Sequence, residues 1–292
     1  MNPLSLAALA TQTRLLAPYR YARLRQLARN GEAPISVPFY HRVADERPND
    51  WTISRRGFQR HVEYCQQNFE LIDLAEVQRR VRDRDSCTPA VSFTFDDGYS
   101  ENCDFALPLL IERKVPCTYF VSTENVIHGK GFGHDCRCPL AVNSKKQVRE
   151  MSDAGIEIGC HTRSHVDFAK VHDLKTVRRE IVDAKAELEQ IIGRAVRYFA
   201  FPFGLPEQLT QMAIEAVHSA GYQGFCSAYG AYNLVGQDSF HIRRVHGDPE
   251  FARLVNWLSY CPRKIRNQPE IRYFLPPLRS FEATLGYVNS SL

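Results

Sequence analysis

The sequence predicts an α/β protein built on a parallel sheet, and three observations predict it. Short apolar, β-rich runs recur at 35–40, 90–95, 117–122, 156–159, 198–201 and 224–227, each bounded by turn residues. Helical patterns separate them, at 56–69, 74–82, 102–114, 145–154, 174–192 and 207–220. Gly155, Gly193 and Gly221 follow three of these helices, where a left-handed C-terminal residue is favoured. Strands that alternate with helices in this way pair in parallel, and parallel sheets bind ligands at the carboxyl ends of their strands. Alternation alone leaves an open sheet and a closed barrel both standing.

Taken in order, the strand ends carry the chemistry. The first run leads into Tyr40-His41-Arg42-Val43, which puts an imidazole on the rim, in place for a proton donor. The second leads into Thr94-Phe95-Asp96-Asp97-Gly98-Tyr99. Two adjacent carboxylates repel unless a cation or a proton offsets them, although an Asp-Asp-Gly stretch is also an ordinary solvated turn. The fourth leads into Cys160-His161-Thr162-Arg163-Ser164-His165, whose two imidazoles are spaced to face one way on a helical turn. Two His and one carboxylate leave coordination positions open for water and substrate, as a catalytic site needs, and suit Zn²⁺, Fe²⁺, Co²⁺ or Ni²⁺. The fifth leads into Phe199-Ala200-Phe201-Pro202-Phe203-Gly204, an aromatic, proline-stiffened turn. Tyr99, Phe201 and Phe203 suit the apolar faces of pyranose rings and suit core packing equally.

Composition bounds the rest. With 292 residues, 44% hydrophobic and 24% charged, the chain can bury a core of ordinary density without disulfide support. It holds no apolar run long enough to span a bilayer. The net charge of +4 belongs to the first 30 residues, which carry Arg14, Arg20, Arg23, Arg25 and Arg29 and no acid. That leader has no charged segment before its apolar stretch and places arginines where a cleavage site would fall, so a standard secretion signal is not expected. Peripheral contact with a membrane surface and a helix packed on the domain are both open for it. Most of the nine cysteines, Cys65, Cys117, Cys160 and Cys226 among them, read as small buried hydrophobes, which indicates a reducing, cytoplasmic compartment. Cys136 and Cys138 alone are a weak zinc signal. Residues 1–30 read as a basic extension, 31–262 as the folded domain and 263–292 as a peripheral tail. No basic patch interleaved with aromatics marks a nucleic-acid surface.

The motifs from Tyr40-His41 to Phe203-Gly204 resemble those of the polysaccharide deacetylases with a NodB-type homology domain, carbohydrate esterase family 4, over roughly residues 35–262. The resemblance implies a distorted (β/α)7-type barrel and one divalent metal ion, zinc first with cobalt, nickel or iron as alternatives. It implies Asp97, His161 and His165 as ligands, Asp96 as base, and a backbone N–H near Phe203 for the oxyanion, with Pro202 and Tyr99 beside the substrate. The common third motif, Arg-x-Pro-x-Gly, departs here: Ala200 replaces the Arg that holds the base. The Phe-Ala-Phe-Pro-Phe-Gly version and the early Tyr-His are similar to the branch acting on biofilm polysaccharides, in which the early His, here His41, is the acid. Arg244 is then the expected substitute for the motif Arg, with Arg243 as competitor. The implied substrate is an acetylated glycan, N-acetylated first and O-acetylated next. A non-polymeric amide and a catalytically inactive glycan-binding barrel are the alternatives.

Overall fold

Two of the predicted strands are each two strands. Ile35–Ser36 and Ala90–Val91 join Glu70–Leu71 in a small parallel sheet, whereas Pro38–Tyr40 (β1) and Phe93–Phe95 (β2) continue into a larger one. In this computed structural model, which describes residues 3–132, 140–247 and 249–275, the larger sheet adds Cys117–Val121 (β3), Glu157–Cys160 (β4), Tyr198–Ala200 (β5) and Gly224–Cys226 (β6). It is completed by two strands of two residues each, His241–Ile242 (β7) and Val245–His246 (β8). The order is β8-β1-β2-β3-β4-β5-β6-β7, parallel throughout.

That order forces curvature. β7 and β8 lie at opposite edges, yet only Arg243 and Arg244 separate them. Three Cα steps reach at most roughly 11 Å, while the outer strands of a flat eight-stranded sheet would stand roughly 34 Å apart. The sheet therefore curls into the expected distorted barrel, with eight strands and a seam between β7 and β8, and Arg244 sits in the seam.

The strands are buried along nearly their whole length, as parallel strands between helices and a filled interior must be. Residues alternate between two apolar clusters. Tyr119, Val121, Phe199 and Phe225 pack with the surrounding helices, and Phe120, Tyr198, Ala200, Cys226 and Ile242 pack with one another in the other cluster. Gly159 on β4 makes room for Phe120, since a Cβ there would lie 2.3 Å from its ring. Cys65, Cys117, Cys160 and Cys226 are buried, as their apolar settings predict, while Cys136 and Cys138 lie outside the described residues.

The helices agree with the sequence pattern in place more than in detail. Ser54 and Asp73 cap Arg55–Asn68 and Leu74–Asp83, each accepting an N–H three residues on. The patterns at 102–114 and 207–220 begin as 3₁₀ turns before becoming α-helical at Ala106 and Gln211. The pattern at 174–192 contains a π turn, Arg179–Asp183, that becomes important at the site. The basic leader is a helix, Pro3–Arg29, against Phe251–Leu258, with Arg20 buried and donating to Asn256 Oδ1 at 3.0 Å. Among the described residues no helix is long and apolar enough to cross a membrane.

Candidate active site

The turn after β2 brings both aspartates to the mouth of the barrel. Asp97 (φ 72°) and Gly98 (φ 85°) are consecutive left-handed residues, and a Cβ at Gly98 would also press on Val121 at 3.2 Å. The 3₁₀ turn that follows ties the aspartates to the first motif. Asn102 donates to the His41 carbonyl at 2.7 Å and accepts from Val43 N at 2.9 Å, and Glu101 accepts from buried Arg42 at 2.8 Å.

His161 and His165 meet Asp97 as the resemblance implies, but not on a helical turn. His161 immediately follows β4, and the segment to His165 is an irregular loop with Thr162 (φ 65°) and His165 (φ 57°) left-handed. The helical expectation fails because the loop's amide groups bond to other elements. Buried Glu180, in the π turn, accepts from Arg163 N at 3.1 Å, Ser164 N at 2.8 Å and Ser164 Oγ at 2.9 Å. Glu180 is a positioning residue that the sequence reading missed. Its signal was a carboxylate on the apolar face of a helix, three residues after Val177 and four before Ala184.

The three groups form a metal-ligand geometry. Their ligand atoms lie within 4.8 Å of one another, with His161 Nε2 at 3.5 Å and His165 Nε2 at 3.2 Å from Asp97 Oδ1. His161 Nδ1 donates to the Ala200 carbonyl at 2.8 Å, which leaves Nε2 as the lone-pair nitrogen facing Asp97. The His165 ring packs edge-on against Phe132 and Phe203, at 5.2 and 5.4 Å. Asp97 Oδ1 is buried and accepts no hydrogen bond, so acceptors converge with no donor between them, an arrangement that a cation satisfies. Burial raises the Asp97 pKa, but the two histidines more than offset it and hold the carboxyl well below its usual range. Burial lowers the His161 pKa, and Asp97 and Asp96 outweigh it and hold it above the usual value.

Asp96 faces Arg244. The guanidinium donates in bidentate fashion, Nη1 to Oδ1 at 2.7 Å and Nη2 to Oδ2 at 2.8 Å, and also donates to the Ser227 carbonyl at 2.7 Å. It is fully buried, 4.7 Å from the Phe39 ring and 5.5 Å from the Phe120 ring. Burial pushes the Asp96 pKa up, and the Arg244 charge, helped by His161, brings it below the ordinary value, so the carboxylate is ionised at neutral pH. Arg243 is half-buried and turns its side chain to the His241 carbonyl, away from Asp96. A guanidinium thus reaches Asp96 from the seam, as expected with Ala200 in the third motif.

His41 lies on the same rim, half-buried, with Nδ1 buried and without a hydrogen-bond partner. Its ring contacts Phe39 at 5.6 Å and Trp51 at 4.8 Å. Burial lowers its pKa, opposed by the Asp97 and Asp96 charges. Phe203 (φ 60°) is exposed, and Pro202 before it is buried with its carbonyl accepting from Gly204 N. Tyr99 needs correction as a substrate-facing residue. Its side chain is fully buried in a cluster with Phe132, Leu140 and Val142, because that cluster closes over the Asp-Asp turn; Phe201 is likewise buried. Four of the seven non-glycine residues with positive φ among the described residues, Asp97, Thr162, His165 and Phe203, belong to this one site, a concentration of backbone strain typical of functional centres.

Comparison with known proteins bears on the family and the fold. Residues 83–225 match the family model described as polysaccharide deacetylase. The chain is 24% identical over 223 residues to YxkH of Bacillus subtilis, named for that family, covering 75% of this chain and 74% of the relative. It is 28% identical over 160 residues to a peptidoglycan-N-acetylglucosamine deacetylase of Bacillus cereus, covering 48% of this chain and 50% of the relative. The structure of IcaB from Ammonifex degensii shares the fold, with a TM-score of 0.65 at 23% identity, covering 78% of this chain and 97% of that one. The family match includes Asp96, Asp97, His161, His165 and Phe203 but neither His41 nor Arg244, whose place at the site rests on geometry.

Proposed function

Since the chain belongs to the polysaccharide deacetylase family, we propose that it hydrolyses N-acetyl groups of a glycan with a divalent ion held by Asp97, His161 and His165. The observation that carries this reading is the buried Asp96–Arg244 pair beside that Asp-His-His cluster. When bound, the ion supplies Lewis acidity toward a carbonyl oxygen and lowers the pKa of a coordinated water; zinc is the first candidate for this donor set, with cobalt, nickel and iron behind it. The protein's own groups divide the proton work. Asp96, kept ionised and oriented by Arg244, removes a proton from the attacking water. The Phe203 N–H, presented by a left-handed turn beside His165, donates to the developing oxyanion. His41 gives a proton to the departing sugar nitrogen. A binding-only barrel has little to recommend it once Arg244 replaces the motif guanidinium. The peptidoglycan-N-acetylglucosamine deacetylase relative supports an N-acetylhexosamine as substrate.

A pH series tests the division of roles. His41 must be protonated to act, and burial holds its pKa below 6.5. The kcat/KM for acetate release from an N-acetylglucosamine oligomer should therefore fall as pH rises, with the limb displaced to the acid side of an ordinary imidazole. His41→Ala should lower the rate about 10²-fold or more and remove that limb. An unchanged limb in His41→Ala would assign the proton donor elsewhere. Faster release from O-acetylated oligomers would reassign the substrate as an ester.

A further inference from the structure

Two exposed aromatic side chains pack on site histidines. Phe203, 55% exposed, follows β5 and packs on His165; Trp51, 45% exposed, lies on the loop after β1 and packs on His41. Phe203 thus borders the proposed metal ligands, and Trp51 borders the proposed proton donor.

The loop carrying Trp51 is built to hold it still. Arg42, 1% exposed, donates to the Arg47 carbonyl at 2.7 Å, the Glu46 carbonyl at 2.9 Å and Thr52 Oγ1 at 3.2 Å, while Glu101 holds the guanidinium from the other side. Asn49 and Thr52 close the tip, and Asn49 Oδ1 accepts from Trp51 N at 3.1 Å. His246 on β8 meets the indole edge-on at 5.9 Å. A buried arginine that spans from Glu101 to the loop backbone fixes an exposed indole next to the proposed proton donor. A solvated surface loop needs no such anchor.

Indole offers a large, rigid, apolar face with little rotamer entropy to lose, which matches the C–H face of a pyranose. We propose that Trp51 is a sugar-binding platform that seats the glycan ring next to the acetylated residue on the His41 side, so that the enzyme reads chain length. Arg42 is the positioning residue that presents it. This deepens the deacetylase reading and rests on it for the identity of the ligand. The substrate is then an oligomer of at least two rings, and a free N-acetylhexosamine lacks the ring that Trp51 holds.

The chain has two tryptophans, Trp51 and Trp257. In the metal-loaded Trp257→Phe protein, Trp51 is the only indole, and titration with an N-acetylglucosamine tetramer should shift its emission saturably, with the monosaccharide doing so only at far higher concentration. Trp51→Ala should raise KM for the tetramer about tenfold, equivalent to one well-packed aromatic contact, and lower kcat much less. Trp51→Phe should recover most of the difference. Emission that the tetramer does not move, or a loss in Trp51→Ala confined to kcat, would overturn the platform and leave the indole as a cover for His41. If no glycan releases acetate, the deacetylase reading fails by itself, and the emission titration still decides whether Trp51 binds sugar.

Discussion

Asp96→Asn is expected to lower kcat by about 10²–10⁴-fold, the range for loss of a positioned general base, while one divalent ion per chain remains bound. Asn keeps the shape of the side chain and, through Oδ1, an acceptor for Arg244 Nη1, and it leaves the three ligand side chains unchanged. What it removes is the charge that takes the proton. Acetate release and metal content measured on the same preparation separate the base from the ligands: loss of rate with the ion retained supports the assignment, and a decrease below tenfold places the base elsewhere. The equivalent change at Asp97 should act in the opposite order, with the ion lost first, because Oδ1 of Asp97 is the atom that His161 and His165 surround.

Arg244→Ala is expected to produce the largest loss of stability. Breaking a buried ion pair by removing one partner typically costs about 3–5 kcal/mol, because the other charge is left in a low-dielectric interior. Here the abandoned group is Asp96, 2% exposed, and without the guanidinium burial would drive its pKa upward. The variant should thus unfold at lower denaturant and also lose its base at pH values where the parent is active. Arg243→Ala is the control. Its side chain is half-buried and donates to one carbonyl, so the unfolding free energy should change by no more than about 0.5 kcal/mol. Equal effects of the two changes would contradict the assignment of the seam arginine.

Much of this architecture was legible because strand ends and chemistry coincide. Six apolar runs mark β1 to β6, and four of them end at His41, Asp96-Asp97, His161 and Phe203. The remaining strands were not legible for a geometric reason: β7 and β8 have two residues each and are separated by two, too short for a period of two to register. Their position at the two sheet edges is also what turns Arg244 inward and Arg243 outward, a choice that two consecutive arginines cannot reveal. The spacing of His161 and His165 suggested a helical turn, whereas Glu180 and the left-handed Thr162 and His165 shape a loop that achieves the same convergence. Tyr99 was read as a rim residue from its place after Asp-Asp-Gly, but apolar burial under Phe132 wins. Trp51 stood in a polar loop with no periodicity, and its meaning depends on Arg42 reaching across to the loop backbone, a contact that composition does not encode.

The measurement that tests the central claim most directly is acetate release from an N-acetylglucosamine oligomer by protein stripped of metal with a chelator and then supplied with Zn²⁺ or Co²⁺, with the amount of bound ion determined in parallel. The account predicts that release stops on stripping and returns as one ion per chain rebinds, and that His161→Ala neither rebinds the ion at that concentration nor recovers. Release that persists in fully stripped protein, or that returns in His161→Ala, would contradict it.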